Sequence, residues 1–355
     1  MLRYFKYQTP FKNPFKTAVR KFSHREGIIL AYEEGNIQAF GDVAPLPGFS
    51  SESLKQVEAV LINNKKFLLE AFKEGNAEQI IQVLDQIHEF PSLSFGLDTL
   101  LHDLQAKRQK ISLNSLLFNQ SSPSVKCNTT VGIKSKSETI SVLNDKLSFG
   151  FDTVKIKVGT DIDSEREVLE EIRNQFPELK IRIDANQAWS VNEAIQNLQY
   201  LSKLDIEYCE QPVNANDLQG LKKVTNHSDI DIAADESLGN KTRVKELIEH
   251  QCCDLIILKP ALIGLFSTIN VTKELAETHN MKVVFTTILD GIIGRTMTAI
   301  LASGLGSKTY AHGLATGSLL NEQNVYEKIE RGAYHLSNLD GIGVSIELTL
   351  LEEII

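Results

Sequence analysis

VKIKVG, residues 154–159, is the stretch on which the fold turns. Val154, Ile156 and Val158 alternate with Lys155 and Lys157, and Gly159 ends the run. Successive residues of a strand point to opposite faces, so the two lysines share one face. On a surface strand that face would meet water. In a closed barrel it would meet the inside of a site.

Short apolar runs ending in a polar residue recur from about position 127: CNTTVG, VKIKVG, IRIDAN, IEYCEQP, IAADES, LIILKP, VVFTTI and YAHGLA. Helix-like stretches lie between them, such as DSEREVLEEIRNQF (163–176) and VNEAIQNLQYLSKL (191–204). Ser190 stands as the N-cap of the latter, with Glu193 three residues on as in a capping box. Lys157, Asp184, Glu210, Asp235, Lys259, Thr286 and Gly313 follow one another at intervals of 24 to 27 residues. One strand, one helix and two short loops need about that length. Eight such units suit a closed parallel barrel better than the open, doubly wound sheet that the same alternation allows.

Outward from the barrel the pattern changes. YFKYQTPF, EGIILAYEEGNIQAFGDVAP and a turn at Glu34–Gly35–Asn36 read as an antiparallel meander. Helical patterns follow at SLKQVEAVLINNKKFLLEAF, AEQIIQVLDQIHEF and SFGLDTLLHDLQAKRQ. Residues 1–120 are therefore expected to form an α+β domain and 121–325 the barrel. The tail from 326 to 355, where LDGIGVSIEL has strand character, is expected to rejoin the first domain.

The chain of 355 residues is 42% hydrophobic and 23% charged, with ample material for a core. A formal charge of -9 argues against a nucleic-acid groove and against an anionic membrane surface. Cys127, Cys209, Cys252 and Cys253 form no CxxC pair and no zinc-type spacing, so they read as buried or incidental thiols. MLRYFKYQTPFKNPFK lacks an apolar core of signal-peptide length, and LIILKPALIGLF is interrupted by Lys259 and Pro260. The expected location is the cytoplasm.

Barrel enzymes keep their sites at the C-terminal ends of the strands. Three consecutive strands would bring Asp184, Glu210 and Asp235 to that rim. Acids so placed repel one another unless a cation sits among them, and an all-oxygen set favours Mg²⁺, with Mn²⁺ as a substitute. Lys157 and Lys259 would face each other from strands four apart in a ring of eight. Such a site suits a small anionic carboxylate: the metal holds the carboxylate while a lysine removes the proton from the neighbouring carbon. Among lesser candidates, Arg20 in the N-terminal loop could reach over the barrel mouth to a second substrate carboxylate, although a solvated loop arginine reads at least as well. Phe49, after Pro45, Pro47 and Gly48, could cap the pocket. Thr286 and Thr287 end the seventh strand and could hold substrate. Trp189 reads as packing, and His312 as a strand-end histidine with its hydrogen bonds satisfied.

KIKVG (155–159), DANQAW (184–189), EQP (210–212), DES (235–237) and KPALIG (259–264) together resemble the muconate-lactonizing subgroup of the enolase superfamily. The resemblance implies a modified (β/α)7β barrel, TIM-like, with an α+β capping domain built from both chain ends. It implies metal ligation by Asp184, Glu210 and Asp235, acid–base roles for Lys157 and Lys259, and accessory or substrate-binding roles for Lys155 and Asn186. GDVAPLPGFSSES (41–53), PSLSFGLDTLLHDL (91–104) and IRIDANQAW further resemble o-succinylbenzoate synthase, a lyase of menaquinone synthesis. That implies dehydration of 2-succinyl-6-hydroxy-2,4-cyclohexadiene-1-carboxylate to 2-succinylbenzoate. Asp42 and Asp290 stand where relatives often carry Glu. HGLATGSLL (312–320) lacks the Asp-x-Asp pair with which dipeptide epimerases grip a substrate ammonium. Dipeptide epimerisation, N-acylamino acid racemisation and muconate cycloisomerisation share the barrel motifs and stay open, as does a catalytically silent barrel that binds an anion.

Overall fold

The computed structural model describes residues 1–16, 21–75, 90–132, 135–239, 241–322 and 329–354. Arg20 and nearly all of AEQIIQVLDQIHEF (77–90) lie outside them. Three antiparallel strands open the chain: β1 (Leu2–Lys16), β2 (Lys21–Glu34) and β3 (Ile37–Val43). The β2–β3 hairpin turns at Gly35–Asn36, where Gly35 takes a φ of 54° that glycine accepts without strain. Two helices follow, α1 (Leu54–Glu74) and α2 (Pro91–Gln109). A capping box between Ser53 and Gln56 starts α1. Pro91 starts α2, at a position where a missing N–H costs no helical bond.

Both faces of this sheet are buried. Leu2, Tyr4, Ile28, Leu30 and Val43 pack with Val57, Leu61, Phe72, Leu97 and Leu100 of the two helices. The alternate residues Phe5, Ile29, Ala31 and Phe40 join the barrel core instead. Each such side chain contributes about 1.5–3 kcal/mol, so the period-two pattern holds the sheet between two apolar layers. Close approach of α2 to β3 depends on two glycines. A Cβ on Gly41 would lie 2.1 Å from the Gly96 carbonyl oxygen, and one on Gly96 would lie 2.8 Å from that of Asp42.

After the short strand β4 (Ser124–Lys126), seven parallel strands lie side by side in chain order. They are β5 (Thr129–Gly132), β6 (Thr153–Lys157), β7 (Lys180–Asp184), β8 (Ile206–Glu210), β9 (Ile232–Ala234), β10 (Leu255–Leu258) and β11 (Lys282–Phe285). The eighth position is a two-residue closure rather than a full strand. His312 bridges Cys127 and Gly313 bridges Thr286, so the curled sheet is joined from both edges. A Cβ on Gly313 would lie 2.3 Å from Thr286 Oγ1, a contact only glycine avoids. The fold is therefore an α/β TIM-like barrel with a capping domain.

The barrel helices begin where the sequence marks them. Ser135, Asp161, Ser190 and Asp217 each accept from a first-turn amide, and the Ser190–Glu193 capping box is formed. The tail differs from expectation. LDGIGVSIEL (339–348) is irregular, because Gly341 and Gly343 take φ of 70° and 69°, outside any strand. That segment is pinned to α2 through Ile342 N–H and the buried Asp103 carboxylate, 2.7 Å apart. The final strand is Glu352–Ile354, which pairs with β1. Ile329–Glu330 and Ala333–His335 form a small sheet with β4 that sequence reasoning missed. Cys127, Cys209, Cys252 and Cys253 are all buried, and no two of them form a disulfide. Among the described residues, no helix is long and apolar enough to cross a membrane.

Candidate active site

Strand register levels the charged residues. Lys157 pairs with Asp184, and Asp184 with Glu210, so all three reach the same rim. Lys155 and Lys157 turn to the barrel's acidic side. Lys155 Nζ donates to both Glu210 oxygens at 2.8 and 2.9 Å and lies 3.2 Å from Asp184 Oδ2. Lys157 Nζ donates to Asp184 Oδ2 at 2.8 Å and to Asn186 Oδ1. Across the ring, Lys259 Nζ donates to Asp235 Oδ1 at 2.5 Å. The Phe49 ring lies over Lys259, with Nζ 5.2 Å from its centroid. The two facing lysines differ in setting: the Lys157 side chain is 45% exposed and that of Lys259 12%.

Burial works to lower the Lys155 ammonium, but Glu210 and Asp184 outweigh it and hold it well above the ordinary lysine value. Lys259 behaves alike: burial lowers it, but Asp235 by charge and hydrogen bond, together with Glu236 and Glu210, turns the net shift upward. Burial would raise Asp184, yet Lys155 and Lys157 bring it below the usual carboxylate range. Glu210 goes the other way. Burial, with Asp184 and Asp235 nearby, raises it despite its bonds to Lys155.

Residues that sequence reasoning left aside complete the rim. Gln211 Oε1 accepts from Asp235 N–H and Ser237 N–H, both at 3.0 Å, while its Nε2 donates to Ser237 Oγ at 2.7 Å. One buried amide thus fixes the turn that carries Asp235. Glu236 lies beside it, with Oε1 accepting from Asn186 Nδ2 at 3.2 Å. Its Oε2 is buried and has no hydrogen-bond partner among the described residues. Asn186, Gln187 and Gln211 all have positive φ, 42°, 68° and 41°, so backbone strain gathers at these two strand ends. The sequence signal was available in EQP and DES, whose middle residues repeat the polar character of the named ligands.

Other candidates have different partners. Thr286 Oγ1 donates to the Gly313 carbonyl at 3.0 Å, and Thr287 Oγ1 pairs with Thr316 Oγ1 at 2.6 Å, so both hydroxyls tie the last strands together. His312 is buried, accepts Phe285 N–H at Nδ1, and is pushed down to about 3 by burial. It stays neutral and serves the closure. Trp189 is buried in the core. Arg20 lies outside the described residues.

A hard divalent cation suits this donor set. Three rim carboxylates, Asp184, Glu210 and Asp235, meet the ammoniums of Lys155, Lys157 and Lys259, so every anionic donor gathered there is a hard oxygen. Among the described residues no three Asp, Glu, His or Cys side chains are already gathered into a cation cage. The lysines stand among the oxygens.

Residues 142–350 match the family model for the enolase C-terminal domain-like proteins. The chain belongs to the enolase superfamily. Residues 1–104 also match the model of the MenC N-terminal domain, which describes the capping half alone. An L-Ala-D/L-Glu epimerase of Clostridium acetobutylicum is 31% identical, with 83% of each chain covered. A hydrophobic dipeptide epimerase of Enterococcus faecalis is 30% identical, covering 83% of this chain and 81% of its own. A crystal structure of dipeptide epimerase from Enterococcus faecalis V583, complexed with Mg and the dipeptide L-Leu-L-Tyr, superposes with a TM-score of 0.85 at 27% identity. It covers 97% of this chain and 99% of its own.

These relatives overturn the dehydratase expectation, and with it the lyase class and the place in menaquinone synthesis. Several residues of the misleading motifs serve the scaffold. Gly41 and Gly96 set helix–sheet packing, Ser53 caps α1, and Arg182 is buried among Glu207, Asn128 and the Ala311 carbonyl. Residues that hold a frame together do not distinguish one substrate from another.

Proposed function

We propose that the protein is an epimerase, inverting the carbon next to the carboxylate of a dipeptide or N-acylated amino acid. The observation that carries this is the pair Lys157 and Lys259, on strands four apart, each hydrogen-bonded to a different rim acid. Bases on opposite faces of one carbon suit inversion. One lysine, as the free amine, takes the proton from its face, and the other, as ammonium, returns one from the far face. The reverse reaction exchanges their roles. Asp184, Glu210 and Asp235 would hold Mg²⁺, with Mn²⁺ as a substitute, and the bound cation supplies positive charge beside the substrate carboxylate while the carbon is deprotonated. Lys155, held charged by Glu210 and Asp184, adds positive charge on the same side. Phe49 packs its ring on Lys259 and would keep water from that face.

Within this class, the acid-free stretch HGLATGSLL (312–320) favours a substrate whose amine is acylated over one with a free ammonium. The test uses the Mg²⁺-loaded protein with L-Ala-L-Glu, L-Leu-L-Tyr and N-acetyl-L-methionine in D₂O. Proton NMR would follow loss of the α-proton signal, and chiral chromatography would follow inversion. Exchange together with inversion, abolished by EDTA, is expected, fastest with the acylated amino acid. Absence of exchange in all three, by folded and metal-loaded protein, removes the epimerase reading.

A further inference from the structure

We propose that Glu236 is a positioning residue for Lys157, acting through the side-chain amide of Asn186. The proposal rests on the two-lysine reading above. Among the described residues Lys157 has two hydrogen-bond acceptors, Asp184 Oδ2 and Asn186 Oδ1. Asp184 Oδ2 is shared, since Lys155 Nζ lies 3.2 Å from the same atom. The direction of the Lys157 ammonium therefore depends on which end of the Asn186 amide faces it. An amide turned round would present two N–H donors to an ammonium that can only donate. Glu236 prevents that reversal: its Oε1 accepts from Asn186 Nδ2 at 3.2 Å, which leaves Oδ1 towards Lys157.

Both ends of this link are fixed from elsewhere. Asn186 has a φ of 42°, and its own N–H donates to Asp184 Oδ1 at 3.1 Å. Glu236 opens the turn Glu236–Leu238, which Gln211 grips through the N–H groups of Asp235 and Ser237. A carboxylate with one oxygen buried and, among the described residues, unpartnered is costly to hold, so packing alone gives no reason for a glutamate here. The opposite lysine needs no such relay. Lys259 is bonded directly to Asp235, lies under Phe49 and is far less exposed than Lys157. The Glu236 charge also reaches Lys259, so loss of Glu236 should impair the Lys157 face through lost orientation and the Lys259 face only through lost charge, an asymmetry a merely structural staple would not give.

The experiment measures face-selective exchange. Mg²⁺-loaded protein in D₂O is given L-Ala-L-Glu and L-Ala-D-Glu separately, and N-acetyl-L- and N-acetyl-D-methionine separately, with α-proton loss followed by NMR. Lys157→Ala and Lys259→Ala identify which epimer each lysine deprotonates. In Glu236→Ala, exchange from the epimer that depends on Lys157 is expected to fall about 10- to 100-fold, while the other stays within about threefold. Glu236→Gln keeps an oxygen for Asn186 Nδ2 and is expected to restore the Lys157 face. If Glu236→Ala does not fold, Glu236→Asp, one methylene short of Asn186, is expected to show the same one-sided loss. Equal losses on both faces, or no loss, overturn the positioning role while leaving the two-lysine reading intact. Wild-type protein that exchanges none of the four probes overturns both.

Discussion

The barrel rim and the seam between capping sheet and barrel both bury acids, yet they neutralise them differently. At the rim the partners are lysines: Lys155 on Glu210, Lys157 on Asp184 and Lys259 on Asp235. At the seam the buried Asp42 accepts from Tyr7 OH at 3.0 Å and from Gly294 N–H at 3.3 Å. Asp290 accepts from Ile288 N–H at 3.1 Å. Arginines supply the charge there. Arg25 donates to the carbonyls of Pro45 at 2.9 Å and Leu289 at 3.1 Å, and Arg295 donates to Glu322 at 2.5 and 3.1 Å. A guanidinium keeps its proton and its fixed fork, whereas an ammonium on a flexible stem can give up both. The rim is built for moving protons and the seam for holding two parts together.

The largest effect that would break this contrast is on turnover. Lys157→Ala and Lys259→Ala should each lower epimerisation by at least about 10³-fold, within the range expected for loss of a general base. Each change also takes the lysine from a largely buried acid, Asp184 or Asp235, so a lowered melting temperature is expected and turnover is compared per folded molecule. A variant that keeps turnover removes its lysine from the mechanism. Arg295→Leu should do the reverse. It strands Glu322, whose side chain is only 12% exposed, and should cost about 3–5 kcal/mol in urea unfolding. Activity per folded molecule should be unchanged. A small stability loss would mean that the Arg295–Glu322 pair does not anchor the seam.

Metal sharpens the comparison from the other side. If the rim acids bind Mg²⁺, saturation at about 100 times Kd should stabilise the protein by about 2.7 kcal/mol, read as a rise in Tm that EDTA reverses. Asp235→Asn should lose most of that rise, while Asp42→Asn should keep it. A shift that survives Asp235→Asn would place the cation elsewhere.

Much of this contrast was legible in the sequence, but unevenly. The rim was legible because barrel geometry makes strand-end residues converge whenever the spacing repeats, so Lys157, Asp184, Glu210, Asp235 and Lys259 could be grouped by counting. Glu236 and Gln211 escaped the count because they follow the strand ends, where turn geometry rather than period decides direction. The seam was invisible for another reason. Asp42 and Gly294 lie 252 positions apart, and no local pattern joins them. LDGIGVSIEL has strand composition, yet two positive-φ glycines and the Asp103 carboxylate draw it into an irregular path. The substrate was misread because Gly41, Ser53, Gly96 and Arg182, which made the motifs look telling, are packing and capping residues of the frame.

The smallest expected effect tests whether the seam carries a titrating acid. Burial pushes Asp42 up to about 7, with Asp290 adding to the rise and Tyr7 and Arg25 opposing it. Asp290 is raised too, by burial against the pull of Arg25 and Arg295. In the unfolded chain a carboxyl titrates near about 4. Between about pH 4 and 7 the folded protein therefore holds a proton that the unfolded chain has released. This contribution to stability is full below the unfolded value and is lost as pH rises through the window. The ceiling is about 1.4 kcal/mol per pH unit, and roughly 2 kcal/mol in all is expected, because Asp290 shares the titration. Asp42→Asn keeps the shape and removes the proton, and its amide can still bond Tyr7 and Gly294. Urea unfolding at a series of pH values should show the variant gaining on wild type from about pH 4 upward, with the gap constant above about 8. Curves that run parallel throughout would mean that Asp42 is charged at every pH in the window. The seam would then rest on a permanent charge.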